Sequence, residues 1–188
     1  MKQRFSKRTR LVSALLTLAM VFTFLPFSAF AATDRYGPVY ITDANVPDKT
    51  FREYLLKRFD KDGNGVLTPA ERYAVTEIDV NDKNITSLKG IEFFPNLKKL
   101  NCGHNRLTSL DVSKNTELTY LDCSYNRLTE LDVSQNTKLT ELYFVSNKIT
   151  SLQADNCTNL TVIFTGSNKY KVEVYRTCLL YTSPSPRD

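Results

Sequence analysis

Residues 97–117 read LKKLNCGHNRLTSLDVSKNTE, and residues 118–138 read LTYLDCSYNRLTELDVSQNTK. The second stretch restates the first 21 residues later, and the phrase returns as LTELYFVSNKITSLQADNCTN over 139–159. A further copy opens as LTVIFTGSNKY at Leu160 and then loses the pattern, while a 22-residue variant, VTEIDVNDKNITSLKGIEFFPN, precedes them all from Val75. The shared core is L-x-x-L-x-[LCFT]-x-x-N-x-[LIY]. Within it Leu100 and Cys102, with their counterparts, alternate as on a short strand that buries one face. Asn105, Asn126, Asn147 and Asn168 stand where the chain leaves that strand. An amide both donates and accepts, so a stack of them can satisfy turn backbone that would otherwise be buried unpaired. Leu107, Leu128 and Ile149, then Leu110, Leu131 and Leu152, fill the rest of the coil. A single coil cannot bury its own apolar face, so neighbours must stack. The expectation is a right-handed solenoid of about five 21–22-residue coils over residues 75–177. Its parallel strands are expected to start near Ile78, Leu100, Leu121, Leu142 and Ile163.

The same register assigns the cysteines. Cys102 and Cys123 share an inward column with Val80, Phe144 and Thr165, a slot for medium-sized apolar groups. Stacked parallel neighbours point the same way, which suits disulfide geometry poorly, so free thiols are expected. Cys157 takes the turn position that Asn115 and Asn136 hold one and two coils earlier. His104 is the only histidine. It lies close to Cys102, but Tyr125 and Ser146 occupy its place in the following coils, so the proximity reads as incidental and not as a nucleophile pair. No other catalytic constellation is present in the sequence, and the reading is of a chain that is not an enzyme.

Ahead of the repeats, VPDKTFREYLLKRFD places Phe51, Tyr54, Leu55, Arg58 and Phe59 on one helical face, with Pro47 suited to the helix start. The helix runs into DKDGNGVLTPAE, residues 60–71, which fits the calcium-loop pattern D-x-[DN]-x-[DN]-G-x5-E without a gap. Asp60, Asp62 and Asn64 supply oxygens at loop positions one, three and five, and Gly65 permits the sharp turn at six. Val66 offers a backbone carbonyl, Thr68 sits at nine, and Glu71 can clamp with two oxygens at twelve. A solvated acidic turn is the alternative. The expected unit is a helix–calcium loop–helix cap over 47–74, EF-hand-like, with calcium as the cofactor. Its expected affinity is weak, on the order of 10⁻⁴ to 10⁻³ M.

The first ten residues carry Lys2, Arg4, Lys7, Arg8 and Arg10 and no acid; an apolar run to Phe30 and an A-x-A sequence follow. This reads as a secretory signal peptide over 1–31, with 32–46 a linker. The run is long enough to span a bilayer, but Pro26 and the small residues after it favour cleavage, after which no membrane span is expected. The chain holds 25 basic and 20 acidic residues; removing the five basic residues of the signal leaves 20 against 20. The high isoelectric point therefore belongs to the targeting segment, and nothing in the charge balance points to nucleic acid or an anionic surface. Residues 178–188, CLLYTSPSPRD, break the repeat. They resemble a sequencing-adapter end translated in one frame, the alternative being a disordered Pro/Ser tail.

NVPDKTFREYLLKRFDKDGNGVLTPAE, then VTEIDV, then the repeated LTxLDxSxNxL phrase together resemble the amino-terminal part of leucine-rich-repeat surface proteins of Gram-positive gut bacteria, internalin-like in the broad sense. The resemblance covers nearly all of residues 41–170. It implies a secreted or wall-attached protein that binds through its repeat surface. Outward strand positions expected on a concave face include Lys99, Asn101, Tyr120, Asp122, Tyr125, Glu141, Tyr143, Val162 and Phe164. Of these Tyr120, Asp122, Tyr143 and Phe164 are the candidate partner-binding residues, for an unidentified protein or glycan; high β propensity of aromatics is the competing explanation. Two other functions fit the sequence: the non-catalytic amino-terminal part of a larger secreted enzyme, and a spacer that holds another domain away from the cell wall.

Overall fold

The computed structural model describes residues 37–168; the expected signal segment and the 178–188 tail, with Cys178, lie outside the described residues. The amino-terminal part opens with a two-residue strand, β1 (Val39–Tyr40), followed by helix α1 (Lys49–Phe59), strand β2 (Val66–Leu67) and helix α2 (Pro69–Ala74). α1 starts at Lys49 because Asp48, in extended backbone, accepts the Phe51 N–H through its carboxylate. An N-cap of this kind satisfies one of the free N–H groups of the first turn. The expectation that Pro47 opens the helix is thus corrected: Pro47 lies one residue outside the cap. Phe51 and Leu55, one turn apart, are fully buried, and Tyr54 and Phe59 pack beside them at half burial. Tyr54 and Phe59 meet edge to face at 5.9 Å, and Phe59 lies 5.7 Å from Phe94 of the first coil.

α2 carries a complete capping box. The Thr68 hydroxyl accepts the Glu71 N–H, the Glu71 carboxylate accepts the Thr68 N–H, and Pro69 stands where a missing N–H costs nothing. Arg72 of α2 is completely buried and donates to the Phe93 carbonyl, tying this short helix to the first coil.

The repeats form a five-stranded parallel sheet in the order β3 (Glu77–Asp79), β4 (Lys99–Asn101), β5 (Tyr120–Asp122), β7 (Glu141–Tyr143) and β9 (Val162–Phe164). Each strand is three residues long and starts one residue earlier than expected. The register aligns Ile78, Leu100, Leu121, Leu142 and Ile163 as one column. The first four of these are fully buried. Five strands delimit four steps from coil to coil among the described residues. The second half of the coil also pairs: β6 (Glu130–Asp132) and β8 (Ser151–Gln153) form a separate parallel ladder through Leu131 and Leu152, where sequence reading assigned only apolar filling. Cys102 and Cys123 are buried in the inward column and are free thiols, as is Cys157.

Asparagines close each coil onto its predecessor. The Asn126 Nδ2 donates to the Cys102, Cys123 and Ser124 carbonyls while its Oδ1 accepts the Leu107 N–H. Asn105 and Asn147 repeat the pattern one coil either side, and Asn168 continues it. The residue before each asparagine pays a backbone strain, since His104, Tyr125, Ser146 and Ser167 all have φ between 53° and 57°. The 22-residue coil departs from the others by a 3-10 turn, Ile91–Phe93, led by Gly90 at φ 109°. A Cβ on Gly90 would approach the Val46 side chain to 2.7 Å, so both the backbone angle and the close approach require glycine there.

Candidate functional site

Two places concentrate chemistry. The first is the open face of the five-stranded sheet. Side chains alternate along a strand, so burying Ile78, Leu100, Leu121 and Leu142 forces their neighbours outward. One outward column reads Glu77, Lys99, Tyr120, Glu141, Val162, and the other Asp79, Asn101, Asp122, Tyr143, Phe164. The parallel register brings three of the four candidate residues into a row: Tyr120 and Tyr143 have ring centroids 5.5 Å apart, and Tyr143 and Phe164 stack at 5.1 Å with planes 9° apart. Tyr120 and Tyr143 are half-buried and Phe164 is 54% exposed.

Carboxylates frame the row. The Tyr143 hydroxyl donates to Glu141 Oε2 at 3.1 Å, and the Asp122 carboxylate accepts the Ser124 N–H while its other oxygen stays available. Burial pushes the Tyr120 phenol above its usual range, and the negative charges of Asp122, Glu141 and Asp79 push it further. Tyr143 is raised in the same way, by burial first and then by its hydrogen bond to Glu141 and the charges of Glu141 and Asp122. A shallow hollow of about 210 Å³ adjoins the row, walled by Glu77, Asp79, Lys99, Asn101 and Tyr120. Tyr125, expected on this face, lies instead in the left-handed turn after β5 and stacks on His104 at 4.2 Å. The strand ends at Asp122, and the chain has turned off the sheet by the time it reaches Tyr125.

The second place is the loop between α1 and α2. Oxygens of Asp60, Asp62 and Glu71 lie within 4.8 Å of one another, although the first and last are 11 positions apart in the chain. Asp60 shapes the loop: Oδ1 accepts the Gly63 and Asn64 N–H groups and Oδ2 the Gly65 N–H. Gly63 and Gly65 take φ of 69° and 78°, which lets the chain wrap the carboxylate. Glu71 reaches back so that Oε1 accepts the Lys61 N–H. Burial raises both Asp60 and Glu71, but the hydrogen bonds each accepts outweigh it and hold both carboxyls below their usual range. The remaining candidate ligands stand differently. The Asn64 Oδ1 accepts the Val66 N–H, and the Thr68 hydroxyl donates to Glu71 Oε2, so Thr68 is engaged in capping α2. Val66 pairs with Tyr40 of β1, which anchors the end of the loop.

The donor set at this loop is all oxygen, with three carboxylates converging from the loop start and the third residue of α2. Such a set suits a hard divalent cation of calcium's size and flexible coordination.

Comparison with known proteins places the repeats among leucine-rich repeats. A family model described as leucine-rich repeats in two copies matches residues 95–136 and 116–154. Internalin J of Listeria monocytogenes is 35% identical over 70 residues, which is 37% of this chain and 8% of that protein. Among solved structures, an internalin (inlF) from Listeria monocytogenes is 26% identical with a TM-score of 0.57, covering 71% of this chain and 47% of that one. Internalin C2 from the same organism shares the fold at 20% identity and a TM-score of 0.51, covering 73% and 71%. The chain therefore spans under a tenth of the curated relative and about half of the first of these structures. It carries leucine-rich repeats in an internalin-like solenoid.

Proposed function

We propose that this chain is a secreted or surface-exposed, non-catalytic binding protein whose ligand docks on the open face of the repeat sheet, with calcium steadying the amino-terminal cap. The observation that carries the reading is the row Tyr120–Tyr143–Phe164, beside Asp122. Three rings are lined up across three adjacent strands at outward positions of the sheet. Large amphipathic rings held rigidly on a scaffold lose little side-chain entropy on binding and contribute disproportionately to contact energy. The likeness to internalins supports export and a surface location. It also supports a role in protein interaction.

The test is to probe the protein against immobilised peptides and glycans, beside a variant with alanine at Tyr120, Tyr143 and Phe164. Binding is expected to disappear in the variant while a cooperative melt persists. Retained binding would take the rings out of the docking surface, and collapse of the fold would assign them to structure.

For the cap, Asp60, Asp62 and Glu71 would hold the ion, with Asn64, Val66 and Thr68 completing the loop. Bound calcium would offset two of the three negative charges clustered there and fix the loop that joins α1 to α2. At about ten times the dissociation constant the ion would add roughly 1.4 kcal/mol to stability. Chelator should therefore lower the melting temperature by a few degrees, and Glu71→Gln should remove that difference. An unchanged wild-type melt in chelator would return the loop to a solvated acidic turn.

A further inference from the structure

The open face of the sheet is unevenly charged. Its outward strand positions hold Glu77, Asp79, Asp122 and Glu141 against a single cation, Lys99, although the chain beyond residue 31 balances 20 basic against 20 acidic residues. No ion pair among the described residues engages these four acids. Like charges gathered on one face of a balanced chain repel one another and are relieved by a partner of opposite sign. The aromatic row runs among the same acids, and Glu77 and Asp79, two acids against the one cation Lys99, wall the hollow beside Tyr120.

The two features suit different parts of one ligand. An ammonium or guanidinium group is attracted both to a carboxylate and to the face of a ring. The aliphatic stem that carries it covers aromatic surface while the charged head reaches the acids. A neutral glycan would use the rings and leave the acids unanswered, and an acidic partner would be repelled.

Resting on the sheet face as the docking surface, we propose that its occupant is an extended cationic segment of a partner protein. Lysine or arginine heads would enter the Glu77–Asp79 hollow and lie against Asp122 and Glu141, with their stems on Tyr120, Tyr143 and Phe164.

The experiment is calorimetric titration of the full chain with three probes: a capped ten-residue peptide alternating lysine and glycine, the same peptide with glutamate for lysine, and a neutral N-acetylglucosamine oligosaccharide. The lysine peptide alone is expected to bind, at least about fivefold more weakly in 0.3 M than in 0.05 M salt, since exposed charges are screened. Asp122→Asn together with Glu141→Gln should weaken it at least about tenfold. Asp122→Asn keeps an oxygen for the Ser124 N–H, so the melt should be unchanged. Asp111→Asn together with Asp132→Asn, acids away from this sheet, should leave binding as in the wild type. Absence of lysine-peptide binding, or equal weakening by the two double variants, overturns the cationic occupant. If the oligosaccharide or the glutamate peptide binds in its stead and Tyr143→Ala abolishes it, the cationic occupant falls and the docking face stands. If binding of every probe that binds survives alanine at all three rings, the docking face itself falls.

Discussion

Asp48 joins two segments through one carboxylate. Its Oδ1 caps α1 by accepting the Phe51 N–H, and its Oδ2 accepts both the N–H and the hydroxyl of Thr86, 38 residues away in the first coil. Burial raises its carboxyl, but the hydrogen bonds from Thr86, Phe51 and Ser87 outweigh it and leave the group below its usual range. The sign follows from that direction: a depressed carboxyl contributes stability that is complete above the unfolded value of about 4 and is lost as pH falls through the lower folded value. Asp48→Ala should cost about 1–2 kcal/mol at pH 7, a normal cap penalty plus the lost tie to the coil. The gap between wild type and variant, measured by urea unfolding, should narrow as pH drops below about 4. An equal gap at pH 7 and pH 3 would mean the ionised carboxylate is not what holds the cap. The helix was legible in the sequence from its apolar face. The cap was not, because its second partner is set by where the first coil folds back.

At the scale of the element, the asparagine ladders decide whether a coil closes. The recurrence of Asn105, Asn126, Asn147 and Asn168 announces the first ladder, because an amide is needed at the same depth in every turn. Asn126→Ala would leave the buried Leu107 N–H without its acceptor and take one of two donors from each of the Cys102, Cys123 and Ser124 carbonyls, which keep Asn105, Asn147 and His104. A loss of about 3 kcal/mol is expected in denaturant unfolding. A second ladder runs through Asn115, Asn136 and Cys157. Asn115 Nδ2 donates to the Ile91 and Phe94 carbonyls, and Asn136 Nδ2 to those of Val112 and Asn115. The Cys157 thiol takes the same role toward the Val133 and Asn136 carbonyls, at 3.1 and 3.5 Å. The Oδ1 atoms of Asn115 and Asn136 are buried without a hydrogen-bond partner. A thiol has no such acceptor to satisfy, so Asn136→Cys should cost clearly less than Asn136→Ala, by about 1 kcal/mol. Equal costs would show that the thiol at 157 is passive filling. The substitution of asparagine by cysteine was visible in the sequence; its hydrogen bonds depend on carbonyls one coil away.

At the scale of the whole molecule, the coils share one core, so damage to one is felt by its neighbours. Leu121 is fully buried at the centre of the sheet, paired with Leu100 and Leu142. Leu121→Asp buries a carboxylate with no cation beside it and should abolish the cooperative thermal transition. A folded Leu121→Asp protein would argue against this core. The thiols report on the same cooperativity. Burial pushes Cys102 and Cys123 far above the usual thiol range, and burial with the charges of Asp132 and Asp155 raises Cys157 to about 11. Only the thiolate is the nucleophile, so all three should resist iodoacetamide at pH 8 in the folded protein and react together in denaturant. Rapid labelling of Cys102 or Cys123 without denaturant would reveal opening of single coils.

The solenoid and the acidic loop were determined by the sequence itself. Both are written locally: the repeat states the same inward column every 21 residues, and the loop carries its oxygens at fixed offsets within 12 residues. The converging carboxylates of Asp60, Asp62 and Glu71 follow from that spacing. What the tertiary structure alone decided depends on register between coils. It put Tyr125 into the left-handed turn against His104 and off the sheet. It paired β6 with β8. It lined up Tyr120, Tyr143 and Phe164 by placing residues from two different repeat columns on adjacent strands. A period names which residues face outward, but only the stacked coils set how far apart they stand and which charges surround them.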